Sequence, residues 1–137
     1  MAHWLIKSEP DTWSWEMQVK AGAKGTNWNG VRNHTAKQNL MAMKLGEEVF
    51  FYHSNVGKEI VGIVKVIKTY YPDDSDPSGK FGMCDFAAEK PLKTPVTLDT
   101  IKAEPKLKDM MLVNNSRLSV QPVTADEWKL ICKMGGL

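Results

Sequence analysis

The sequence predicts an α+β fold, a small and partly open barrel of mixed strands with helices packed against it. Three observations carry that expectation. Short runs rich in β-branched and aromatic residues recur along the chain, only modest helical stretches separate them, and the regular strand–helix alternation of a parallel α/β sheet is absent. With 137 residues, 42% of them hydrophobic and 25% charged, the chain matches ordinary usage for one domain over 1–137, with no repeat or low-complexity tract.

Taken in order, residues 3–8 read as a first strand, apolar at Trp4, Leu5 and Ile6 and closed by the break at Pro10. Glu9, Pro10 and Asp11 turn the chain. Asp11 or Thr12 can then cap a helix reaching Lys20, which Gly22 and Gly25 end. A loop around Trp28 feeds a helix over 31–43, where Ala36, Leu40 and Met43 recur at core-facing spacing until Gly46 stops it. The aromatic, β-branched run 48–53 is a strand, and the turn at 54–57 leads to a second strand over 60–67. That second run is almost continuously apolar, which indicates burial on both faces, and Gly62 within it marks a bulge or a close approach.

Residues 72–79 form a polar, breaker-rich loop expected to be the mobile segment. The sheet resumes over 80–88, and a further strand over 92–96 places Pro95 near an edge. A short helix over 98–103 ends at Pro105. The polar corner 114–119 then runs into an alternating strand ended by Pro122. Thr124, Ala125, Asp126 and Glu127 spell a capping box that opens a terminal helix through Met134, closed by Gly135 and Gly136.

The net charge of +2 does not by itself announce a nucleic-acid protein, but its distribution is uneven. Residues 1–44 carry six basic and three acidic side chains, 45–90 carry five and eight, and 91–137 carry seven and five. This permits a basic face, but ordinary solvated surface charge is the commoner explanation. Cys84 and Cys132 are far apart and in no metal-ligand spacing, so reduced thiols are expected rather than a disulfide framework or zinc site. The N-terminus lacks a signal-peptide pattern and the apolar runs are short, so the expected protein is soluble and cytoplasmic, or nuclear in a eukaryote, with no membrane partner and a monomeric state.

The stretch 28–40 is the candidate site. It sets an indole, a glycine, a guanidinium and an amide within six residues at a helix entrance, where backbone N–H groups are unpaired. Only two of the 18 basic residues are arginine, Arg32 and Arg117, and both fall in polar, turn-like stretches. A planar fork for bidentate contact and a structural salt bridge are both consistent with that placement. Four of the five tryptophans lie in the first 28 residues. Trp4 and Trp128 sit in regular elements and are expected in the core, whereas Trp28, between Asn27 and Asn29, suits a stacking platform, a role weaker for Trp15. His53 and Ser54 are adjacent on a strand, so their side chains point to opposite faces and make a poor nucleophilic dyad. The scattered histidines predict no metal, and neither a nucleotide-binding glycine loop nor a nucleophile elbow appears, so no cofactor is expected.

The motifs Trp4-Leu5-Ile6-Lys7-Ser8-Glu9-Pro10, Trp13-Ser14-Trp15, Trp28-Asn29-Gly30-Val31-Arg32-Asn33, Phe51-Tyr52-His53-Ser54-Asn55, Tyr71-Pro72-Asp73, Pro95-Val96-Thr97-Leu98 and Ser116 to Pro122 together resemble the EVE domain family over nearly the whole chain. The resemblance implies a PUA-like pseudo-barrel related to the YTH and ASCH domains, a pocket for a modified nucleobase in DNA or RNA, and no established catalysis. Carried over, it makes Trp28 an aromatic wall beside Val31, with Arg32 and Asn33 as polar readers. His53, Ser54 and Asn55 would be the strand end lining the pocket, and Arg117 and Ser119 would close it. Lys7, Ser8 and Glu9 would border the opening, with Trp15 near them. His34 and Thr35 stand where relatives often carry aromatic and glutamine residues, which would alter the rim. Two other readings compete: a hydrolase of a nucleotide-like small molecule working through Ser54 or Glu9, and a protein-interaction module using the acidic 73–76 loop.

Overall fold

The computed structural model describes residues 2–137. Six strands, β1 (His3–Ser8), β2 (Thr26–Asn27), β3 (Glu48–His53), β4 (Glu59–Pro72), β5 (Gly82–Thr97) and β6 (Val120–Val123), form one mixed sheet in the order β2-β5-β4-β3-β1-β6. β1 and β3 run parallel and the other pairs are antiparallel. The outer strands β2 and β6 are not paired to each other, so the sheet does not close into a barrel. Five helices accompany it: α1 (Trp15–Lys20), α2 (His34–Ala42), α3 (Leu98–Ala103), α4 (Met111–Asn114) and α5 (Ala125–Met134). None of them is long and apolar enough to cross a membrane.

Strand periodicity divides the core in two. Trp4, Ile6, Val49, Phe51, Val64 and Phe86 join Ala36, Leu40 and Met43 beneath α2. Leu5, Phe50, Tyr52, Ile60 and Ile63 point to the opposite face and meet Ile101, Leu107, Met110, Trp128 and Ile131. Both faces of the central strands are therefore covered, as the unbroken apolar run in β4 requires. Trp4 and Trp128 are buried as expected, and Trp4 Nε1 donates to the buried Glu47 carboxylate at 3.0 Å.

Several boundaries move from their expected places, each for a local reason. α1 begins at Trp15 because Ser14, not Asp11 or Thr12, accepts the capping bond from Met17 N. α2 begins at His34 because Asn33 is its cap and accepts from Ala36 N at 2.9 Å, which leaves Val31 and Arg32 in the loop before it. The runs 80–88 and 92–96 are one strand, β5, with shifted register against β4. Pro91 and Pro95 are tolerated because β2 covers β5 only at Asp85 and Phe86. α5 carries its complete capping box, with Glu127 N donating to Thr124 Oγ1 and Thr124 N to Glu127 Oε1.

The loop expected to be mobile is instead tied down. Asp73 and Asp76 are only 2% and 9% exposed. Asp73 accepts from Ser75 N and Oγ, Gly30 N and Arg32, while Asp76 accepts from Ser78 N and Oγ and from Phe81 N. Two of the three carboxylates of the acidic 73–76 segment are therefore consumed internally, which leaves Asp74 alone exposed for an acidic docking loop.

Candidate functional site

The C-terminal end of β1 faces the segment that β2 leads into, and between them lies an open cavity of about 490 Å³. Lys7, Ser8, Glu9, Thr12 and Trp13 form one side and Thr26 to Gly30 the other. β2 pairs Thr26 with Phe86 and Asn27 with Asp85, and Trp28 N continues that edge by donating to Cys84 O at 2.9 Å. The indole is half-buried. Its ring meets Phe51 and Phe86 edge-on at centroid distances of 5.8 and 5.7 Å, which fixes its plane while part of it borders the cavity. Cys84 itself is buried, its thiol pushed up to about 12 by that burial, and it packs as an inert small apolar group.

The opposite wall is fixed as firmly. Trp13 Nε1 donates to Gln18 Oε1 at 2.8 Å, and the fully buried Gln18 amide donates in turn to Phe86 O at 3.0 Å. Ser8 Oγ donates to Trp13 O, so its one hydrogen is already used and the oxygen can only accept. Lys7 Nζ donates to Ser116 O at 2.6 Å, leaving two of the three ammonium hydrogens for other partners. Burial lowers its pKa from the usual lysine value. Glu9, Thr12, Asn27 and Asn29 make no side-chain hydrogen bond to another described residue. The cavity thus offers a flat aromatic wall, an ammonium, a carboxylate acceptor and two amides. That set fits a planar heterocycle with polar edges, and the volume is adequate for one.

The structure gathers the expected residues unevenly. Lys7, Ser8, Glu9 and Trp28 line the cavity. Arg117 and Ser119 lie on the segment hydrogen-bonded to β1, where Lys7 N donates to Ser119 O at 3.0 Å and Lys7 Nζ reaches Ser116. His53, Ser54 and Asn55 do not line the cavity. Ser54 N donates to Ser8 O, Asn55 is an exposed turn residue with φ 65°, and His53 Nε2 accepts from Trp15 N at 3.1 Å. That bond occupies the nitrogen a serine-activating base would need, so His53 and Ser54 form no dyad. Trp15 packs on Phe51 and borders a different groove. Val31 is in the core, Asn33 uses its side-chain oxygen as the α2 cap, and Arg32 pairs with Asp73 at 3.2 Å and Ser75 at 3.0 Å. Among the described residues no cluster of three or more His, Cys, Asp or Glu side chains could hold a metal.

Asn29 and Gly30 line the cavity as part of the 28–40 stretch, whereas the sequence did not single out Thr12, Trp13 and Asn27 as lining groups, or Gln18 and Asp73 as their supports. The signal for Trp13 was its place in the Trp13-Ser14-Trp15 block. Asp73 stands in the Tyr71-Pro72-Asp73 block, but its supporting role depends on Gly30 and Arg32, which lie more than 40 residues away in the chain.

The EVE domain family model matches residues 2–134. The chain belongs to the EVE domain family. Thymocyte nuclear protein 1 of Homo sapiens is 36% identical over 97% of this chain and 73% of its own length. The Rpa0253 structure from Rhodopseudomonas palustris superposes with a TM-score of 0.95 at 62% identity, covering 99% of this chain and 94% of that one. A crystal structure of human THYN1 protein in complex with 5-methylcytosine-containing DNA gives a TM-score of 0.94 at 34% identity over 100% of this chain and 99% of that one. This EVE domain therefore shares its whole sheet and helix arrangement with a protein solved on modified DNA.

Proposed function

We propose that this EVE domain, acting as one unit over 1–137, is a non-catalytic reader of a modified nucleobase. The base would enter the cavity between the end of β1 and the Thr26–Gly30 stretch. The observation that carries the reading is the half-buried Trp28 ring, locked edge-on against Phe51 and Phe86 and bordering a cavity with free polar groups. The human relative bound to 5-methylcytosine-containing DNA supports the ligand class. In this reading Trp28 stacks on the base, worth about 1–3 kcal/mol. Glu9 is the acceptor for an exocyclic amino group such as that of cytosine, and Lys7 and Asn29 donate to its carbonyl edge.

Extruding a base from a duplex costs a few kcal/mol, so single-stranded, mismatched or damaged contexts are favoured. Two contacts support the non-catalytic part of this proposal: Ser8 Oγ donates to a carbonyl, and the imidazole of His53, the nearest candidate base for Ser54, is occupied. A cytoplasmic location, nuclear in a eukaryote, and a monomeric state belong to the same proposal. Its test is a titration with free modified and unmodified nucleosides followed by tryptophan fluorescence, beside Trp28→Phe. Quenching selective for a modified base and altered in the variant supports the reading, and quenching by none of them refutes it.

A further inference from the structure

Beside the cavity a second cluster forms around Phe81, a side chain with no role assigned above. Its ring is half-buried and three basic side chains converge on it: the Arg32 guanidinium at 5.8 Å from the centroid, Lys37 Nζ at 5.7 Å and the His34 ring at 5.1 Å. His34 and Lys37 come from the first turn of α2, three residues apart and so on one face. Phe81 is rigidly mounted: its N–H donates to Asp76 at 2.8 Å and its carbonyl accepts from Asp73 N at 3.2 Å. The same Asp73 accepts from Gly30, which lines the cavity, and from Arg32, so cavity edge and cluster share one anchor. Gly30 and Arg32 are two residues apart, at most about 7 Å of extended chain.

Among the described residues Arg32–Asp73 is the one salt bridge, so Lys37 has no carboxylate partner. Asp73 and Asp76 are buried with their charges taken up internally, which leaves Asp74 as the exposed carboxylate of that loop. A positive charge held over an aromatic ring keeps its geometry without being neutralised.

We propose that the Phe81 cluster is a phosphate subsite, in which Lys37, framed by Arg32 and His34, takes the phosphodiester flanking the base held at Trp28. The proposal rests on the base-reading function above but is separable from it. It assigns the ring of Phe81 to holding the cations in place and the cavity to reading the base. Affinity from this subsite is independent of base identity and sensitive to salt.

The experiment compares the free modified nucleoside with short single-stranded oligonucleotides carrying the same base, titrated over a range of salt concentrations. Lys37→Ala, Phe81→Leu and, as a control on the opposite face of the sheet, Lys129→Ala are run with the native protein, each checked for an unchanged melting temperature. Oligonucleotides are expected to bind more tightly than the nucleoside. Lys37→Ala should reduce the slope of log affinity against log salt by about 0.7, the value of one single-strand phosphate contact. Phe81→Leu should weaken oligonucleotide binding without changing the charge, while nucleoside affinity stays constant in both and Lys129→Ala behaves as native. An unchanged slope in Lys37→Ala, or an equal change in Lys129→Ala, overturns the subsite. Loss of nucleoside binding in the native protein with a Lys37-dependent oligonucleotide slope would sink the base pocket and leave the subsite standing.

Discussion

The buried carboxylate of Asp73 accepts a hydrogen bond from the backbone N–H of Gly30 at 2.8 Å, and the same oxygen accepts from Arg32 at 3.2 Å. One side chain on the β4–β5 loop therefore sets the position of the strand of chain that carries Trp28. Asp73→Ala leaves the Gly30 N–H and the Arg32 guanidinium without their partner, a loss of about 1–3 kcal/mol. The expected outcome is a lower urea midpoint together with weaker ligand binding, although Asp73 does not line the cavity. A variant with native affinity would show that the loop does not position Trp28.

The same carboxyl predicts an acid limit. Burial acts to raise its pKa, but the hydrogen bonds from Ser75, Gly30 and Arg32 outweigh it and hold the value at about 2, below the ordinary 3.8. A depressed folded-state value means the contribution is fully present above 3.8 and is lost as pH falls through about 2. The shift corresponds to roughly 2 kcal/mol. Unfolding monitored against pH should show this loss in the native protein and lack it in Asp73→Ala.

Gly62 in β4 predicts a packing penalty. A Cβ there would overlap the six-membered ring of Trp15, and the ladder shifts register between Ile60 and Gly62. Gly62→Ala must push Trp15 off Phe51, costing about 1–3 kcal/mol of stability. Gly30→Ala meets no atom within 4 Å and suffers only from its φ of +83°. Thermal denaturation of the two variants should rank Gly62→Ala as the more damaging.

His53 predicts a second, milder pH response. Its Nε2 accepts from Trp15 N, so the bond requires a neutral ring, and burial lowers its pKa below 6.5 against the opposing charge of Glu59. The folded value is depressed, so stability from this bond is complete above 6.5 and declines as pH falls through the lower folded value. His53→Ala should cost about 0.5–1.5 kcal/mol at neutral pH and flatten the dependence in mild acid, read from urea midpoints across that window.

Much of the fold was legible because its signals are local. β1, β3, α3 and α5 fall where alternation, aromatic runs and caps put them, and Thr124 and Glu127 form the capping box that their spacing announces. β5 was read as two strands since prolines argue against a central strand, and sequence does not reveal that Pro91 and Pro95 lie beyond the end of β2. The loop 72–79 has the composition of a flexible segment, and only three-dimensional partners show that Asp73 and Asp76 are internal anchors. For the site, the motifs around Lys7 to Glu9 and Trp28 pointed to residues that do share a cavity. Arg32 and Asn33 belong to the same motif but serve the loop and the helix cap, a division that residue type alone does not make.

The proposed function turns on Trp28 stacking against a modified base. The most direct measurement is the affinity of single-stranded oligonucleotides identical except for one 5-methylcytosine or cytosine, for the native protein and Trp28→Ala. Tighter binding of the modified strand by the native protein is predicted, with about 1–3 kcal/mol lost and the preference abolished in Trp28→Ala. Equal affinity for the modified and plain strands and for strands bearing other modified bases, unchanged by Trp28→Ala in a protein that melts as native, would contradict it.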